Sequence, residues 1–416
     1  MTFTALHRAV GAAPGPLTDQ LLDDAVAAGV METDDLDWKR ELPPMKGLPL
    51  TDFPKDVAAM ANSGGGLIVY GVEEVQKAAS GRVDVSDVDE KYERSLLSAT
   101  ITAISPPVFG VKVHRLSTGG KRAAVIEVPA SVDGPHLIYK DQFFGAPVRN
   151  GADTVWMKER QIEAMYRARF EERRHAAEAL DALFSDASAG RDNGKRAWLI
   201  AVAHPRVPNG RERLSRDRAR LAFSEAAELT PSYARVDGNR PLENVDRLNP
   251  CPGLRRWVAR NTAISTNAAW REAWASIHWD GSVTLAVAVG AHRSGRDTYL
   301  EGWEVDCRGI ERAVADFMAL VRATAEATGN EDYDVRIGIS WTGISPLMIL
   351  ANDSGYASDR TSIPLHRYTP VESTVNAAEA NPEFHRHVHD LALDCVNQGG
   401  VSDVCLIRLP APQNEA

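Results

Sequence analysis

The chain has 416 residues, 44% of them hydrophobic and 25% charged, with a formal charge of −10 at pH 7. That length supports two or three domains with real cores, and the composition excludes a disordered chain. The negative balance excludes a protein that coats nucleic acid nonspecifically, because phosphate binding is chiefly cationic attraction; local basic patches are still allowed. Cys251, Cys307, Cys395 and Cys405 all lie in the second half and form no C-x-x-C pair, so their spacing gives no zinc knuckle or redox motif. No apolar run is long enough to span a bilayer, and the start, MTFTALHRAV, has no apolar leader core. The expectation is a cytoplasmic protein with reduced thiols and no membrane partner.

Residues 1–16, rich in Ala, Gly and Pro, read as a loose arm. Residues 17–30 read as a short helix, because Leu21, Leu22, Ala25 and Val26 share one face. Then comes METDDLDWKRE, residues 31–41. A strand over 36–40 points Leu36, Trp38 and Arg40 one way and Asp37 and Lys39 the other. Phe53, Val57, Met60 and Ala61 make an apolar helical stripe that should stop at Asn62. Ser63, Gly64, Gly65 and Gly66 follow, then an apolar strand over 67–72 that ends in Glu73 and Glu74. The glycine turn is either a helix cap with a tight connection or a backbone-amide anion site. It is not a P-loop: no Gly-Lys-Ser/Thr follows, and the order is helix then strand. ATP is therefore not expected.

Residues 92–104 read as a helix ended by Ser105-Pro106-Pro107, and residues 111–116 and 123–128 as a hairpin. Lys112, His114, Arg115, Lys121 and Arg122 lie on or near that hairpin, and His136, Lys140 and Arg149 follow beside Tyr139, Phe143 and Phe144. Cations pair with phosphates and aromatics stack on unpaired bases, so this mixture is either an RNA-contacting surface or a solvated hairpin over an aromatic core. Residues 156–174 read as a closing helix, and SDASAGRDNGKR, residues 185–196, as a linker. The divisions expected are 1–30, 31–184 and 197–416.

In the second half, Arg206, Arg211, Arg213, Arg216, Arg218 and Arg220 form either a backbone-binding segment or a salt-bridged surface helix. A hairpin turning at Asp280-Gly281, a helix over 310–327, strands over 335–341, 347–350 and 404–409, and a helix over 382–396 give an α+β domain. His385, His387 and His389 invite a metal reading, but only His385 and His389 share a helical face and no H-E-x-x-H carboxylate accompanies them. No family, ligand or self-association surface can be assigned to this half, although a homo-oligomer is compatible with it.

The acidic residues invite two readings. They are a solvated turn, or Glu32, Asp37, Glu73 and Glu74 converge from two strands to hold a hard divalent cation through oxygen. The succession Glu32, Asp37-Trp38-Lys39 and AMANSGGGLIVYGVEE resembles the Schlafen AlbA-like domain, whose pattern is E-x4-E-F-K followed by an A-N-x-x-G-G stretch and a G-V-x-D exit. Ser105-Pro106-Pro107, the hairpin, Pro135-His136 and Pro147-Val148-Arg149-Asn150-Gly151 continue the match in order, over about residues 30–170. The resemblance implies an α/β domain that binds nucleic acid, RNA favoured over DNA, and in animal members a metal-dependent endoribonuclease. On that pattern Glu32, Asp37 and Glu74 or Glu73 would be catalytic ligands of Mg²⁺ or Mn²⁺, with Lys39 assisting. Lys112, His114, Lys121, Arg122, Lys140 and Arg149 would contact nucleic acid. Asp37 stands where the family has Glu, and Glu73 or Glu74 where it has Asp. Both exchanges keep charge and alter reach by one methylene. A non-catalytic DNA-binding regulator or defence sensor is the alternative, and ATP binding at Asn62, Gly64, Gly65 and Gly66 the third.

Overall fold

A computed structural model describes residues 3–117, 120–140, 143–208, 213–235, 240–262, 272–291, 293–294, 298–341, 345–351 and 362–409. The chain forms two compact units, Met1–Arg173 and Arg174–Ala416, both of mixed α+β structure.

The first unit runs α1 (Ala5–Val10), α2 (Asp19–Ala27), β1 (Leu36–Lys39), α3 (Phe53–Asn62), β2 (Gly66–Tyr70), β3 (Val72–Val75), β4 (Ala78–Arg82), α4 (Glu90–Thr102), β5 (Ile104–Ser105), β6 (Lys112–Leu116), β7 (Ala123–Val128), β8 (Leu137–Lys140), β9 (Phe143–Gly145), β10 (Pro147–Asn150), β11 (Asp153–Trp156) and the start of α5 (Glu159–Ser188). Its central sheet has the order β1-β2-β7-β6, with β1 parallel to β2 and the other pairs antiparallel. The period-two alternation of β2 decides what covers each face. Ile68 and Tyr70 meet Phe53, Val57 and Met60 of α3 and Leu96 of α4. Leu67 and Val69 meet Leu36 and Trp38 of β1 and Leu6, Leu21 and Leu22 of α1 and α2. Residues 3–16, expected within a loose arm, are instead packed: Ala5 and Leu6 are core residues, and Gly11 ends α1 in the left-handed conformation.

The glycine turn is filled by the chain itself. A Cβ on Gly65 would sit 2.6 Å from the Ala130 nitrogen, and one on Gly66 2.6 Å from the Asp35 carbonyl oxygen. Two backbone segments thus pass where side chains would be, which favours the connection over an anion cradle at these two positions.

The second unit contains the end of α5 and then β12 (Trp198–Pro205), α6 (Arg216–Tyr233), β13 (Cys251–Gly253), β14 (Arg256–Ala259), β15 (Ala273–His278), β16 (Val283–Ala288), β17 (Arg293–Ser294), β18 (Thr298–Tyr299), β19 (Glu304–Asp306), α7 (Cys307–Thr328), β20 (Asp332–Ser340), β21 (Met348–Leu350), β22 (Val371–Asn376) and α8 (Asn381–Asn397). A seven-stranded sheet of order β13-β14-β15-β16-β12-β20-β22 is its frame. Leu199 and Ala201 of β12 pack with α6, α7 and α8, while Trp198, Ile200 and Val202 pack with Leu180 and Phe184 of α5. The segment expected as a linker is instead tied down. α5 continues to Ser188, the Arg191 guanidinium lies 4.8 Å from the Trp274 ring centroid, and the Trp198 indole donates to Asp192 at 2.9 Å. Residues 404–409 form no strand; their backbone is held by Glu311.

Candidate functional site

The site grows from the alternation of β1. Leu36 and Trp38 point into the core, so Asp37 and Lys39 emerge on the opposite face, beside Tyr70 and under the first turn of α3. There they line a pocket of about 700 Å³ with Asp52, which precedes α3, Lys55 and Asp56 of α3, Lys77, Arg149, and residues 152–154. Asp37 is almost wholly buried at 2% exposure. Its Oδ1 accepts from Arg149 Nη1 at 3.0 Å, and its Oδ2 lies 2.6 Å from Lys39 Nζ. The Lys39 ammonium also lies 3.8 Å from Asp56. Burial works against that ammonium, but Asp37 and Asp56 outweigh it and hold its pKa above the usual lysine value.

Glu32 sits just before β1 and is also buried. Its Oε1 accepts from the Trp38 backbone N–H at 3.0 Å, and its Oε2 lies 3.2 Å from Lys77 Nζ. Burial, helped by the charge of Asp37 and the Glu74 carboxylate, pushes its pKa up to about 7, although the Trp38 N–H and Lys77 pull the other way. Burial, reinforced by Asp37 and opposed by Lys39, raises Asp56 to about 6. Glu32 Oε2 and Asp37 Oδ2 are buried oxygens that face the Lys77 and Lys39 ammoniums at 3.2 and 2.6 Å, and the Glu74 carboxylate lies beside Glu32.

The structure thus brings Glu32, Asp37, Lys39 and Glu74 into one neighbourhood. Glu73 is turned aside: it is half exposed and paired with Arg40 at 2.5 Å, on the side away from Asp37. The carboxylates are interleaved with cations. Among the described residues, the one group of three His, Cys, Asp or Glu side chains whose ligating atoms lie within 4.8 Å of one another is Cys307, Glu311 and Cys405, in the second unit.

Most of the basic residues expected at a nucleic-acid surface have intramolecular partners. Arg149 is 7% exposed and holds Asp37. Arg122 makes paired bonds to Asp84, Lys121 donates to the Arg82 carbonyl, and His114 lies 2.8 Å from Glu127. Lys112 is exposed on β6, across from Glu127. Lys140 belongs to β8, but its side chain lies outside the described residues. Arg211 lies outside them as well; Arg213 stacks on Trp279, Arg216 donates to the Pro250 carbonyl and Arg220 pairs with Asp217. His387 and His389 pair separately, with Glu379 and Asp390.

The aromatic run is open instead. Tyr139, Phe143, Phe144 and Trp156 are all more than half exposed, Phe143 at 80%. Tyr139 and Phe144 have ring centroids 5.7 Å apart, and the Trp156 ring lies over Gly145. Thr154, two residues before Trp156 on the same strand, lines the pocket.

The Asn-Ser step before the glycines builds this arrangement. Asn62 donates to the carbonyls of His136 and Pro147 and accepts from the His136 N–H, and Ser63 Oγ accepts from the Arg149 N–H at 2.8 Å. The end of α3 thereby fixes β10, and β10 delivers Arg149 to Asp37. His136 is fully buried, bonded to the Pro106 carbonyl and Ser131 Oγ, and burial lowers its pKa; this is a structural histidine. Asp52, Lys55 and Asp56 belong to no motif in the sequence, yet they line the pocket. The available signal was a charged first turn, Asp52 to Asp56, on a helix that is otherwise apolar on its inner side.

Residues 32–158 match the family model described as Schlafen, AlbA_2. The first unit therefore carries a Schlafen AlbA_2 domain, and the whole pocket lies within the matched segment. No curated protein matches the chain. Among solved structures, the chain is similar to the N-terminal domain of a protein from Nitrosomonas europaea described as related to the ATP-dependent DNA helicase RecG. That likeness has 22% identity and a TM-score of 0.24, and covers 34% of this chain and 90% of that one. A protein from Corynebacterium diphtheriae is similar at 17% identity and a TM-score of 0.24, over 50% of this chain and 33% of that one. Among the described residues no helix is long and apolar enough to cross a membrane.

Proposed function

We propose that the first unit binds nucleic acid, RNA in preference to DNA, with the pocket under α3 handling the sugar–phosphate backbone. The observation that carries this reading is the Schlafen AlbA_2 match, which encloses the pocket. Exposed Tyr139, Phe143, Phe144 and Trp156 support it, because such faces stack on unpaired bases, and single-stranded RNA offers those more readily than a duplex. Lys39, Lys55 and Lys77 supply positive charge at the pocket wall. Because these lysines and most other cations already pair with carboxylates, binding is local and selective rather than a broad electrostatic coating.

The finer reading is metal-dependent RNA cleavage. Glu32 and Asp37 are buried carboxylates close enough to interact, and burial first, then the charge of Asp37 and the Glu74 carboxylate, shifts Glu32 upward. Such an all-oxygen donor set suits Mg²⁺ or Mn²⁺. An ion held by Glu32, Asp37 and Glu74 would supply Lewis-acid assistance and an activated water. The chain's own contribution is positional: Arg149 fixes the rotamer of Asp37, and Lys39 places positive charge where a phosphate gains negative charge. One observation favours a second reading, a non-catalytic nucleic-acid binder: both oxygens of Asp37 already face cations.

The test uses the full chain, a labelled structured RNA, and Mn²⁺ with and without EDTA. EDTA-sensitive fragments that Glu32→Ala abolishes are expected. Fluorescence anisotropy with single-stranded RNA and the matching DNA measures binding, and Phe143→Ala with Phe144→Ala should weaken it by about 1–3 kcal/mol for each base unstacked. Intact RNA with salt-sensitive binding leaves the non-catalytic binder. Absence of salt-sensitive binding to either nucleic acid refutes the proposal.

A further inference from the structure

Cys307 and Glu311 stand at i and i+4 in the first turns of α7, so both side chains leave one face of that helix. Both are fully buried. The half-buried Cys405, far along the sequence, is carried to the same place by the segment after α8. The two Sγ atoms and a Glu311 oxygen all lie within 4.8 Å of one another.

The segment is held in register by its backbone. Glu311 Oε1 accepts from the Cys405 N–H at 3.1 Å, and Oε2 from the Leu406 and Ile407 N–H groups at 2.6 and 3.3 Å. A carboxylate offers about four acceptor directions, so one on Oε1 remains after these three bonds. Two thiols and a carboxylate have thus been gathered where water is largely excluded. A soft or borderline divalent cation relieves that crowding, whereas Mg²⁺ or Ca²⁺ would not choose sulfur.

We infer that Cys307, Cys405 and Glu311 form a zinc site in the second unit. Binding converts two thiols to thiolates and releases their two protons to solvent. The ion clips the segment around residues 405–407 to the start of α7, joining elements that local sequence does not connect. This site is independent of the oxygen-lined pocket of the first unit and of the function proposed for it.

The full chain, expressed with added zinc and purified under a thiol reductant without chelator, is expected to retain about one zinc per chain by elemental mass spectrometry. Replacement by Cd²⁺ should give a thiolate-to-metal absorption band that Cys405→Ser removes and Glu32→Ala leaves unchanged. Should Cys405→Ser not fold, the wild-type protein still decides. Chelation is expected to release zinc and to speed amide exchange at residues 405–407. The inference is overturned if the chain retains no zinc and shows no thiolate band with Cd²⁺.

Discussion

The contact between Arg149 and Asp37 is a buried ion pair in the first unit. Their side chains are only 3% and 2% exposed, and the Nη1 to Oδ1 distance is 3.0 Å. Replacing Arg149 with Ala leaves a buried carboxylate with one partner fewer. It also removes the weaker donation to the Thr33 carbonyl at 3.3 Å. Breaking a buried pair on one side costs about 3–5 kcal/mol, because the remaining charge stays desolvated. Lys39 still faces Oδ2 at 2.6 Å, which places the expected loss near the lower end, about 3 kcal/mol. Denaturant-dependent hydrogen exchange on the full chain, read on peptides from residues 1–173, isolates this unit. A cycle with Asp37→Asn separates the pair from its surroundings, and the double variant should be less damaged than the two single losses added together. By contrast the exposed Arg40 and Glu73 pair, at 60% and 46%, should contribute no more than about 1 kcal/mol. A loss below about 1 kcal/mol for Arg149→Ala would refute the view that Arg149 is a buried anchor, and would return it to the nucleic-acid surface.

Glu32 and Asp56 make stability fall with rising pH. Their folded pKa values, about 7 and about 6, lie above the ordinary 4.5 and 3.8, so the folded unit binds more protons than the unfolded one through that interval. Their contribution is fully present below the unfolded values and lost as pH rises through the folded ones. Denaturant midpoints should therefore drop between about pH 5 and 7, with Asp56→Asn and Glu32→Gln each flattening the slope; a rise over that window contradicts the assignment. Gly65→Ala should be far more damaging than Gly64→Ala. Both have positive φ, but only the former drives a Cβ to 2.6 Å from backbone, whereas nothing lies within 4 Å of the latter; equal thermal shifts would show that the turn is not packed as described. Asn62→Ala leaves the His136 N–H and two carbonyls without their side-chain partner, at a cost of about 1–3 kcal/mol for a stranded group. Amide exchange in residues 134–150 should then rise selectively, and a uniform effect across the unit would count against the bracket.

The reading of strand β1 from its residues was complete in one respect. Alternation alone placed Leu36 and Trp38 on one side and Asp37 and Lys39 on the other, and the covering of both faces of β2 followed from its unbroken apolar run. The ordered motifs also identified the domain that the family match supports. Local pattern served less well for the basic residues. A guanidinium bound for a phosphate and one bound for a buried carboxylate have the same neighbours in sequence, and only the fold showed Arg149, Arg122 and Lys121 engaged within the chain. Residues 404–409 misled for a related reason, since Leu406 and Ile407 are buried while their amides go to Glu311 and not to a strand partner.

Short-range periodicity, turn residues and motif order therefore determined most of the elements, the presence of a Schlafen AlbA_2 domain, and which side chains share a strand face. Pairings between distant residues were left to tertiary structure: Asn62 with β10, Asp56 with Lys39, Cys405 with Cys307. The physical reason is that strand and helix periodicity act over a few residues. Desolvation and Coulomb energy depend instead on distances in space, which the chain sets only once it has closed its long loops.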